Sequence, residues 1–580
     1  MSVDSIAGAP ALKFRVRRGT WPRARLGIVL VLALLPGSSL LAGDLYQDGD
    51  LDIRWDNTIR YSAAFRLQGP DNALISNPNA DDGDRNFAVG LISNRLDLLS
   101  EADFSDGAFG VHASAAGWYD SVYHQRNNNN WPSTFNPYSV PHNEFTHDVQ
   151  VLHGEDAQLL NAFAYGSFDV GGMPFSFRVG RHALQWGESL FFAQNGIAAG
   201  QSPIDEIKAA GEPSAEAKEL LLPVAQVSAT LQPRANIAIS AYYHFEWRKD
   251  MQNGSGSYFS AADYLDDGGE RYIYGTSYGT NEYLYRVPDR TASASGQFGV
   301  ALNVNTDAID YGLYALRFNA KEPEVYLVPG VTTGPGGVLQ IVNPSIVDLS
   351  IGKVGDYGLL YPQGIQLYGA SFSGYLGDST IAGEISARHN MPLVSGLSGT
   401  LAGSGSGGYN AVFVSRPPLQ EQYSSISPIS PGASYAVGDT LHAQVSTITT
   451  LPPGSFWDGA DLRGEVAAND RIDVTKNPSA LDTTRDRFAL AFRGVFEPQY
   501  FQIFPGLDLT VPIGFGYGLI GRSSTDASQN AGAGDVEMGV SATYRTVWQA
   551  GVTYTRFVGS PARQPFADRD YIVCSIQRTF

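Results

Sequence analysis

Apolar and polar side chains alternate repeatedly along this chain, over segments of about ten residues, the length of a membrane strand. In the first segment, most odd positions are apolar and most even positions are polar or charged. The odd-numbered apolar side chains are Ile53, Trp55, Ile59, Tyr61, Ala63 and Phe65. Successive side chains of a strand point to opposite faces. We therefore expect one face to contact lipid and the other to contact a polar interior.

The same alternation returns many times, whereas residues 44–580 contain no apolar run near the roughly 20 residues of a membrane helix. The pattern predicts about eighteen strands. These lie at 51–66, 88–104, 108–120, 157–169, 174–186, 224–232, 235–248, 296–305, 309–319, 364–377, 379–390, 438–450, 459–468, 485–497, 506–518, 534–545, 547–557 and 570–580.

The connections between these strands alternate between short and long. Short connections include 105–107, 170–173 and 377–378, and long ones fall near 121–156 and 249–295. Outer-membrane barrels have short periplasmic turns and long external loops. The fold class predicted is therefore all-β, a transmembrane antiparallel β-barrel of about 18 strands (range 16–18) with long external loops.

The first 43 residues have the composition of a secretory signal peptide. Several arginines precede Leu26–Leu35, an uncharged apolar run too short to span a bilayer, and small residues follow it. We expect cleavage after Ala42 or Gly43. The domain organisation predicted is a signal peptide at 1–43 and one barrel at 44–580, located in the outer membrane of a Gram-negative cell.

The charge of the chain excludes one class of partner. The formal net charge is −19, and positions 1–43 carry six basic residues and one acidic residue, so residues 44–580 carry −24. So acidic a surface argues against a nucleic-acid partner. The expected surroundings are instead outer-membrane lipid and lipopolysaccharide.

The C-terminus carries a second indication of membrane assembly. Ile572, Cys574 and Ile576 alternate with polar residues up to a terminal Phe580, and Arg578 interrupts the apolar parity. The pattern resembles the terminal strand that outer-membrane barrels present to their assembly machinery. It predicts that machinery as a partner, through Phe580; the alternative is an ordinary edge strand ending in Phe.

Charged side chains on the polar parity are expected to line the lumen, because charges are costly against lipid. The pore-lining candidates are Arg54, Arg60, Arg95, Asp97, Glu101, Arg178, Glu384, Arg388, Asp461, Arg463, Glu465, Arg493 and Glu497. Opposed acids and bases impose a transverse field that selects polar or ionic solutes. The alternative is that they pair across strands and only rigidify the wall, and both can hold together.

The segment 187–223 is too apolar for a loop surrounded by water, and 214–222 within it favours a short helix. Irregular backbone at membrane depth survives where protein or water satisfies it. Two interpretations remain open: a loop folded inward as a constriction or plug of the lumen, and a packed external loop.

Four stretches of the chain resemble one known family. They are Gly180–Asp205, Glu219–Leu231, Arg85–Leu99 and Arg487–Gly521, and the family is filed as domain of unknown function 1302 (DUF1302). The resemblance implies an outer-membrane barrel of unsettled activity. The association of that family with other envelope proteins and inner-membrane exporters implies a hydrophobic or lipid-like cargo and periplasmic and inner-membrane partners. It implies no functional residue.

Enzyme and metal patterns are weak. His182 and Ser189 could join an acid in a hydrolytic triad, but such residues are common by chance. His142, Glu144 and His147 share one predicted external loop and could bind a metal, although their irregular spacing favours a hydrated polar loop. We therefore expect no catalytic residue, no resident metal and no cofactor.

The function expected is that of a channel, with porin-like passage of small or amphiphilic solutes. Two alternatives stay open. One is the outer-membrane component of a system that exports or traffics lipids or hydrophobic compounds. The other is a barrel lipid hydrolase.

Overall fold

The structure is a computed structural model that describes residues 43–213, 215–277, 280–333, 339–395, 435–526 and 529–580. The predicted signal peptide, apart from its last residue, lies outside the described residues. The chain from Ala42 to Phe580 forms one compact unit. Within the described ranges, no helix has the length and apolar character needed to cross a membrane.

Eighteen strands of the described chain close into one antiparallel barrel, which confirms the predicted fold class. In chain order they are β1 (Leu51–Arg66), β2 (Gly90–Asp106), β3 (Phe109–Asp120), β4 (Glu155–Val170), β5 (Met173–His182), β6 (Val224–Arg234), β7 (Ile237–His244), β8 (Phe298–Asn305), β9 (Ile309–Phe318), β10 (Ile365–Leu376), β11 (Ser379–Leu393), β12 (Ala436–Leu451), β13 (Gly459–Lys476), β14 (Phe488–Phe504), β15 (Leu507–Thr510 and Ile513–Ile520), β16 (Ala533–Tyr544), β17 (Trp548–Gly559) and β18 (Tyr571–Thr579).

Each strand pairs with the next along the chain, and β18 pairs with β1 to close the sheet. Closure leaves no open edge, so the backbone polar groups of the wall are satisfied within it. The break in β15 falls at Val511 and Pro512, and proline has no N–H to donate to a neighbouring strand. A further strand, Gly43–Asp48, pairs with the start of β1.

The two ends of the barrel differ as the sequence predicts. At the short-turn end, tight connections such as Gly107-Ala108 and Gly171-Gly172 join consecutive strands. Gly107, Gly171 and Gly172 all have positive φ, a backbone conformation that costs glycine little. At the long-loop end the connections run from about a dozen to more than 50 residues, for example 245–297.

Outward-facing side chains form an apolar belt. On β1 the exposed side chains include Trp55 (48% exposed), Tyr61 (40%) and Phe65 (37%), all of the predicted lipid-facing parity. The belt continues around the barrel. It includes Ile239, Val300, Leu313, Tyr368, Ile385, Val445, Val466, Phe515, Met538, Val552 and Ile576. An outward apolar belt of this kind is typical of transmembrane barrels, in which it contacts lipid.

The long loops carry their own secondary structure. Arg271–Ser277, Thr280–Arg286, Glu324–Pro329 and Lys353–Leu360 form a four-stranded sheet, and Val331–Thr333 pairs with Leu339–Ile341. The helices of the described chain are all short. They are Leu74–Ser76, Asp82–Arg85, Ser121–His124, His147–Val149, Gln150–Gly154, Ile197–Gly200, Glu206–Gly211, Ala217–Leu220, Pro344–Ile346, Leu349–Ile351 and Pro478–Ala480.

Three of the long loops pack together in one apolar cluster. Phe87 comes from the loop 67–89, Phe145 and Val149 come from the loop 121–154, and Tyr258 comes from the loop 245–297. The Phe87 and Tyr258 rings meet edge to face with their centroids 5.5 Å apart. The same cluster includes Ala64, Ile92, Phe557 and Tyr571 of the wall, so the three loops share one core with the barrel strands at this end.

Candidate functional site

The segment 187–223, here called the inserted segment, connects β5 to β6 and lies against inward-facing side chains of the wall. The segment contacts strands from β7 to β13 and also β18 and β1. The strands β6 and β13 are seven positions apart in an 18-stranded barrel. A loop that starts at β5 and touches β13 must therefore cross the lumen.

Glu465, near the middle of β13, holds the first part of the segment. Its carboxylate accepts backbone N–H groups of Leu190 (3.1 Å), Phe191 (2.5 Å) and Phe192 (2.9 Å). The Glu465 side chain is buried. Three converging donors are a strong arrangement for a carboxylate, since charged hydrogen bonds are the shorter and stronger kind.

Glu384, near the middle of β11, repeats the arrangement two strands away. One oxygen accepts the N–H of Glu188 (2.6 Å), and the other accepts the N–H of Ile197 (2.8 Å) and the Ser189 hydroxyl (3.3 Å). Gly187 allows the close approach, because a Cβ there would lie 2.2 Å from the Glu384 carboxylate, and its φ is +87°.

Arg388, four residues further along β11 and on the same face, binds the carbonyl groups of the same segment. Its Nη2 lies 2.9, 2.8 and 2.9 Å from the carbonyl oxygens of Gln194, Asn195 and Gly196. Acidic wall residues therefore bind the donors of the segment and a basic one binds its acceptors. In this way buried backbone groups obtain the partners that they require.

Asn195 adds a neutral set of contacts to the same strands. Its side-chain N–H donates to Gln444 Oε1 at 3.1 Å, and its Oδ1 lies 3.1 Å from His442 Nδ1 and accepts from Asn469 Nδ2 at 3.3 Å. The strands β11, β12 and β13 thus hold residues 188–197 through six side chains: Glu384, Arg388, His442, Gln444, Glu465 and Asn469.

The opposite side of residues 184–200 contacts an apolar part of the wall. Ile197 is fully buried in a cluster with Tyr242 of β7, Leu316 of β9 and Leu367 of β10, and Trp186 packs against it. Polar contacts flank the cluster. Lys321 Nζ donates to the Ala199 carbonyl at 2.8 Å, and the Tyr242 hydroxyl donates to the Gly200 carbonyl at 3.2 Å.

The C-terminal part of the inserted segment contacts β13 again, and also β1 and β18. Arg463 of β13 pairs with Glu216 at 2.6 Å, Arg60 of β1 pairs with Glu212 at 3.4 Å, and the Tyr571 hydroxyl of β18 donates to the Gly211 carbonyl at 2.7 Å.

The segment also has a small core. Ala193, Ile204, Ala217 and Leu220 are buried together, and backbone bonds join Asp205 N–H to the Leu220 carbonyl and Leu222 N–H to the Pro203 carbonyl, both at 2.8 Å. The predicted helix at 214–222 is observed as the shorter Ala217–Leu220, preceded by Glu206–Gly211.

The structure divides the predicted pore-lining residues into two groups. Five of them contact the inserted segment: Glu384, Arg388 and Glu465 are buried beneath it, while Arg60 and Arg463 pair with its acids. Burial of the first three follows from their hydrogen bonds to the loop backbone. Their charges therefore position the segment.

The remaining candidates form pairs along the wall or stay accessible. Arg95 pairs with Asp97 (2.8 Å), Arg463 with Glu497 (3.1 Å) and Arg493 with Asp535 (2.5 Å). Asp461 accepts from Gln499, Glu101 lies opposite Asp56, Arg54 lies opposite Asp103 and Arg178 is exposed 5.7 Å from the Phe163 ring centroid. Mixed charge of both signs thus follows the inward parity.

Several titratable groups of the inserted segment have shifted pKa values, and Glu188 is the one among them held beside Glu384. Burial, and then the neighbouring carboxylates of Glu384 and Asp310, raises the pKa of Glu188 to about 7. Its side chain remains partly accessible. The charge of Glu188 therefore changes across the neutral pH range.

The two residues considered for a hydrolytic triad, His182 and Ser189, are not hydrogen-bonded to each other. His182 Nε2 lies 2.9 Å from the Ser228 hydroxyl and its Nδ1 lies 3.2 Å from the Gly180 carbonyl, whereas Ser189 bonds to Glu384 and Gln444. A triad needs a hydrogen bond between nucleophile and base, and His182 and Ser189 make none with each other.

His142, Glu144 and His147 lie in the loop 121–154, where Glu144 pairs with Arg126 at 3.7 Å. Within the described ranges, three or more acidic or imidazole ligand atoms come within 4.8 Å of one another at two other places, Asp81–Asp82–Asp263 and Glu206–Asp250–Glu322.

Five further side chains bind the inserted segment but were not predicted from the sequence. They are His442, Gln444 and Asn469 of the wall and Lys321 and Asp250 of the long loops. His442 and Gln444 sit on the inward parity of β12, so the alternation already indicates their face. Asp250 accepts the Ile204 N–H at 2.7 Å from an irregular loop, where no periodicity applies.

The chain belongs to the family described as "Protein of unknown function (DUF1302)", whose model matches residues 23–580. This confirms the resemblance seen in the sequence. No curated protein matches the chain.

The chain is also similar to several solved bacterial structures. Acinetobacter baumannii OccAB4 matches with a TM-score of 0.40 and 8% identity over 92% of this chain and 99% of that chain. The outer membrane channel DcaP of A. baumannii gives 0.36 and 10% over 93% and 100%. Pseudomonas aeruginosa OpdK, solved with vanillate, gives 0.37 and 10% over 91% and 98%.

Proposed function

We propose that this protein is an outer-membrane channel for small polar or amphiphilic solutes, and that the inserted segment is the constriction of its lumen. The observation that supports the proposal most directly is the set of buried charges at mid-depth of the wall. Glu384, Arg388 and Glu465 together receive or donate nine hydrogen bonds to residues 188–197.

The size of the barrel supports a conducting role. Barrels of 16 to 18 strands enclose an aqueous channel when their interior is not filled. The inserted segment contacts several sectors of the wall, and inward charges of both signs remain around it. Such a lumen favours solutes that carry polar or ionic groups, because opposed charges orient and stabilise them in the narrow region.

The export alternative would gain support from an apolar route into the lumen. The apolar side chains Leu190, Ile197, Ile204, Leu220 and Leu222 of the segment are instead buried against the wall or one another. The burial of these five side chains supports the solute channel over a lipid path.

The direct test replaces residues 190–218 with a short Gly/Ser linker and measures single-channel conductance in planar bilayers. We expect low conductance for the full chain and an increase on the order of two- to threefold or more for the variant, because an unobstructed 18-stranded barrel leaves an open channel.

A control replaces the exposed turn 348–351 with Gly/Ser residues and should conduct like the parent. Both variants must show the heat-modifiable gel mobility of a folded barrel. Unchanged conductance in a folded 190–218 variant would contradict the constriction, and absence of any conductance in both proteins would contradict the channel.

A further inference from the structure

Three aspartates from two separate loops come together at the long-loop end of the barrel. Asp81 and Asp82 lie in the loop 67–89, and Asp263 lies in the loop 245–297. One carboxylate oxygen of each lies within 4.8 Å of the others, and the three residues are 0%, 1% and 0% exposed. Like charges held this close without water repel strongly.

Each carboxylate is held in place by the surrounding loops. Asp82 accepts the Asn136 N–H at 3.1 Å and the Asn129 side-chain N–H at 3.2 Å, both from the loop 121–154. Asp263 Oδ2 accepts the Asp82 N–H at 3.0 Å. Asp81 Oδ2 accepts the Thr134 hydroxyl at 2.7 Å and also pairs with the guanidinium group of Arg85.

This arrangement leaves buried oxygens without a partner. Asp81 Oδ1, Asp263 Oδ1 and the side-chain oxygen Oδ1 of Asn136 are inaccessible and make no hydrogen bond. Asn136 is itself 0% exposed and touches Asp82 through its backbone. Buried oxygens without partners are rare and need an explanation such as a bound ion. Here both the acids and a neutral amide contribute such oxygens.

The charges of the network do not balance. Its acids are Asp81, Asp82, Asp84, Asp263 and Asp568, and its bases are Arg66, Arg85 and Arg569. Arg66 and Arg569 both pair with Asp84 at 3.0 Å, and Arg66 also pairs with Asp568 at 3.3 Å. Five carboxylates against three guanidinium groups leave a formal charge of −2, which one divalent cation would neutralise.

The chemistry of the donors selects the kind of ion. The ligand atoms that lie together are carboxylate oxygens of the three aspartates, with no sulfur and no imidazole among them. Calcium takes six to eight such oxygens in flexible geometry. A bound water could satisfy the hydrogen bonds but would leave the charge unbalanced.

The backbone around the cluster is closely packed. A Cβ at Gly83 would lie 2.8 Å from the Ser257 carbonyl oxygen and 3.0 Å from that of Ser260. Glycine at this position lets the loops 67–89 and 245–297 approach. We propose that Asp81, Asp82 and Asp263 form a calcium site that joins the loops 67–89, 121–154 and 245–297 above the barrel.

The first test is isothermal titration of the full chain, refolded in detergent and freed of metal with EDTA, with CaCl2. We expect one saturable calcium ion per chain. Asp82→Asn and Asp263→Asn should each weaken binding at least tenfold. The control is Glu206→Gln in the other acidic group, Glu206–Asp250–Glu322, which should bind like the parent.

A second measurement needs only the parent protein, in case the Asp variants do not fold. Hydrogen exchange with CaCl2 or EDTA should show slower exchange at 79–86, 127–136 and 255–263 with calcium and no change in the strands. Absence of saturable binding, loss of binding in Glu206→Gln alone, or no calcium-dependent protection at these loops would overturn the proposal.

Discussion

At the scale of single residues, the barrel uses charge for two purposes. Arg95 and Asp97 pair along the inner wall, whereas Glu384 and Glu465 accept backbone N–H groups of a loop. Parity predicts that all four side chains face inward, because a strand has a strict two-residue period. It cannot predict which of them a loop will cover, since that depends on contacts between residues up to 275 positions apart.

The first prediction concerns the charge of Glu188 and the ion selectivity of the channel. Because the pKa of Glu188 is raised to about 7, its carboxyl group is mostly neutral at pH 6 and mostly charged at pH 8. We therefore expect cation selectivity to increase between these pH values, as measured by reversal potentials under a KCl gradient.

The variant Glu188→Gln should lose that pH dependence while retaining conductance. Asp378→Asn, in an exposed turn at the short-turn end, serves as the control and should titrate like the parent. If Glu188→Gln keeps the full change in selectivity, another group is responsible.

At the scale of elements, the inserted segment depends on wall side chains for its position. Glu465 receives three N–H groups, and leaving a buried polar group without its partner costs about 1–3 kcal/mol. Glu465→Gln should therefore loosen residues 188–197 without unfolding the barrel. The expected readouts are faster hydrogen exchange in this stretch and more frequent conductance fluctuations.

The same Asp378→Asn variant controls for the lost charge and should leave exchange in 188–197 unchanged. An unchanged exchange rate in Glu465→Gln, with native gel mobility, would show that Glu465 does not hold the segment.

The terminal strand supplies a second element-scale prediction. Phe580 exchanges two backbone hydrogen bonds with Asn57 of β1, both 2.8 Å, at the seam that closes the barrel. Phe580→Ala keeps this backbone and removes the ring that we expect the assembly machinery to recognise. Insertion should be slower in pulse-chase experiments scored by heat-modifiability.

Phe580→Tyr retains an aromatic ring and should insert at nearly the parental rate. Equal rates for Phe580→Ala and the parent would contradict an assembly role for this side chain.

At the scale of the whole molecule, the architecture was predictable because it follows from local pattern. The strand count and the alternation of short and long connections come from periodicity and turn composition alone. Strand ends were less accurate. The strand predicted at 235–248 ends at His244, and the one at 485–497 continues to Phe504. The first end depends on packing by a loop, as in the Trp247 contact to the Ala320 carbonyl. The second strand is longer because Phe504 still pairs with Leu507 across the tight turn.

The position of the inserted segment was less predictable, because it depends on contacts between residues far apart in sequence. The composition of 187–223 fitted an inward constriction and a packed external loop equally well, because both bury apolar side chains. The aspartate cluster unites Asp82 with Asp263, 181 residues away. No local spacing rule connects such residues. The spacing of His142, Glu144 and His147 suggested a metal site only because these residues are neighbours in sequence.

In the proposed channel, solutes pass the inserted segment on their way through the barrel. The most direct measurement places a thiol on the segment, as Glu188→Cys in a Cys574→Ser background, and adds a charged methanethiosulfonate during single-channel recording. Passage of solutes beside the segment predicts a discrete, lasting change in current for Glu188→Cys and none for Trp55→Cys on the lipid face. Complete labelling of Glu188→Cys by mass spectrometry with an unchanged current would contradict it.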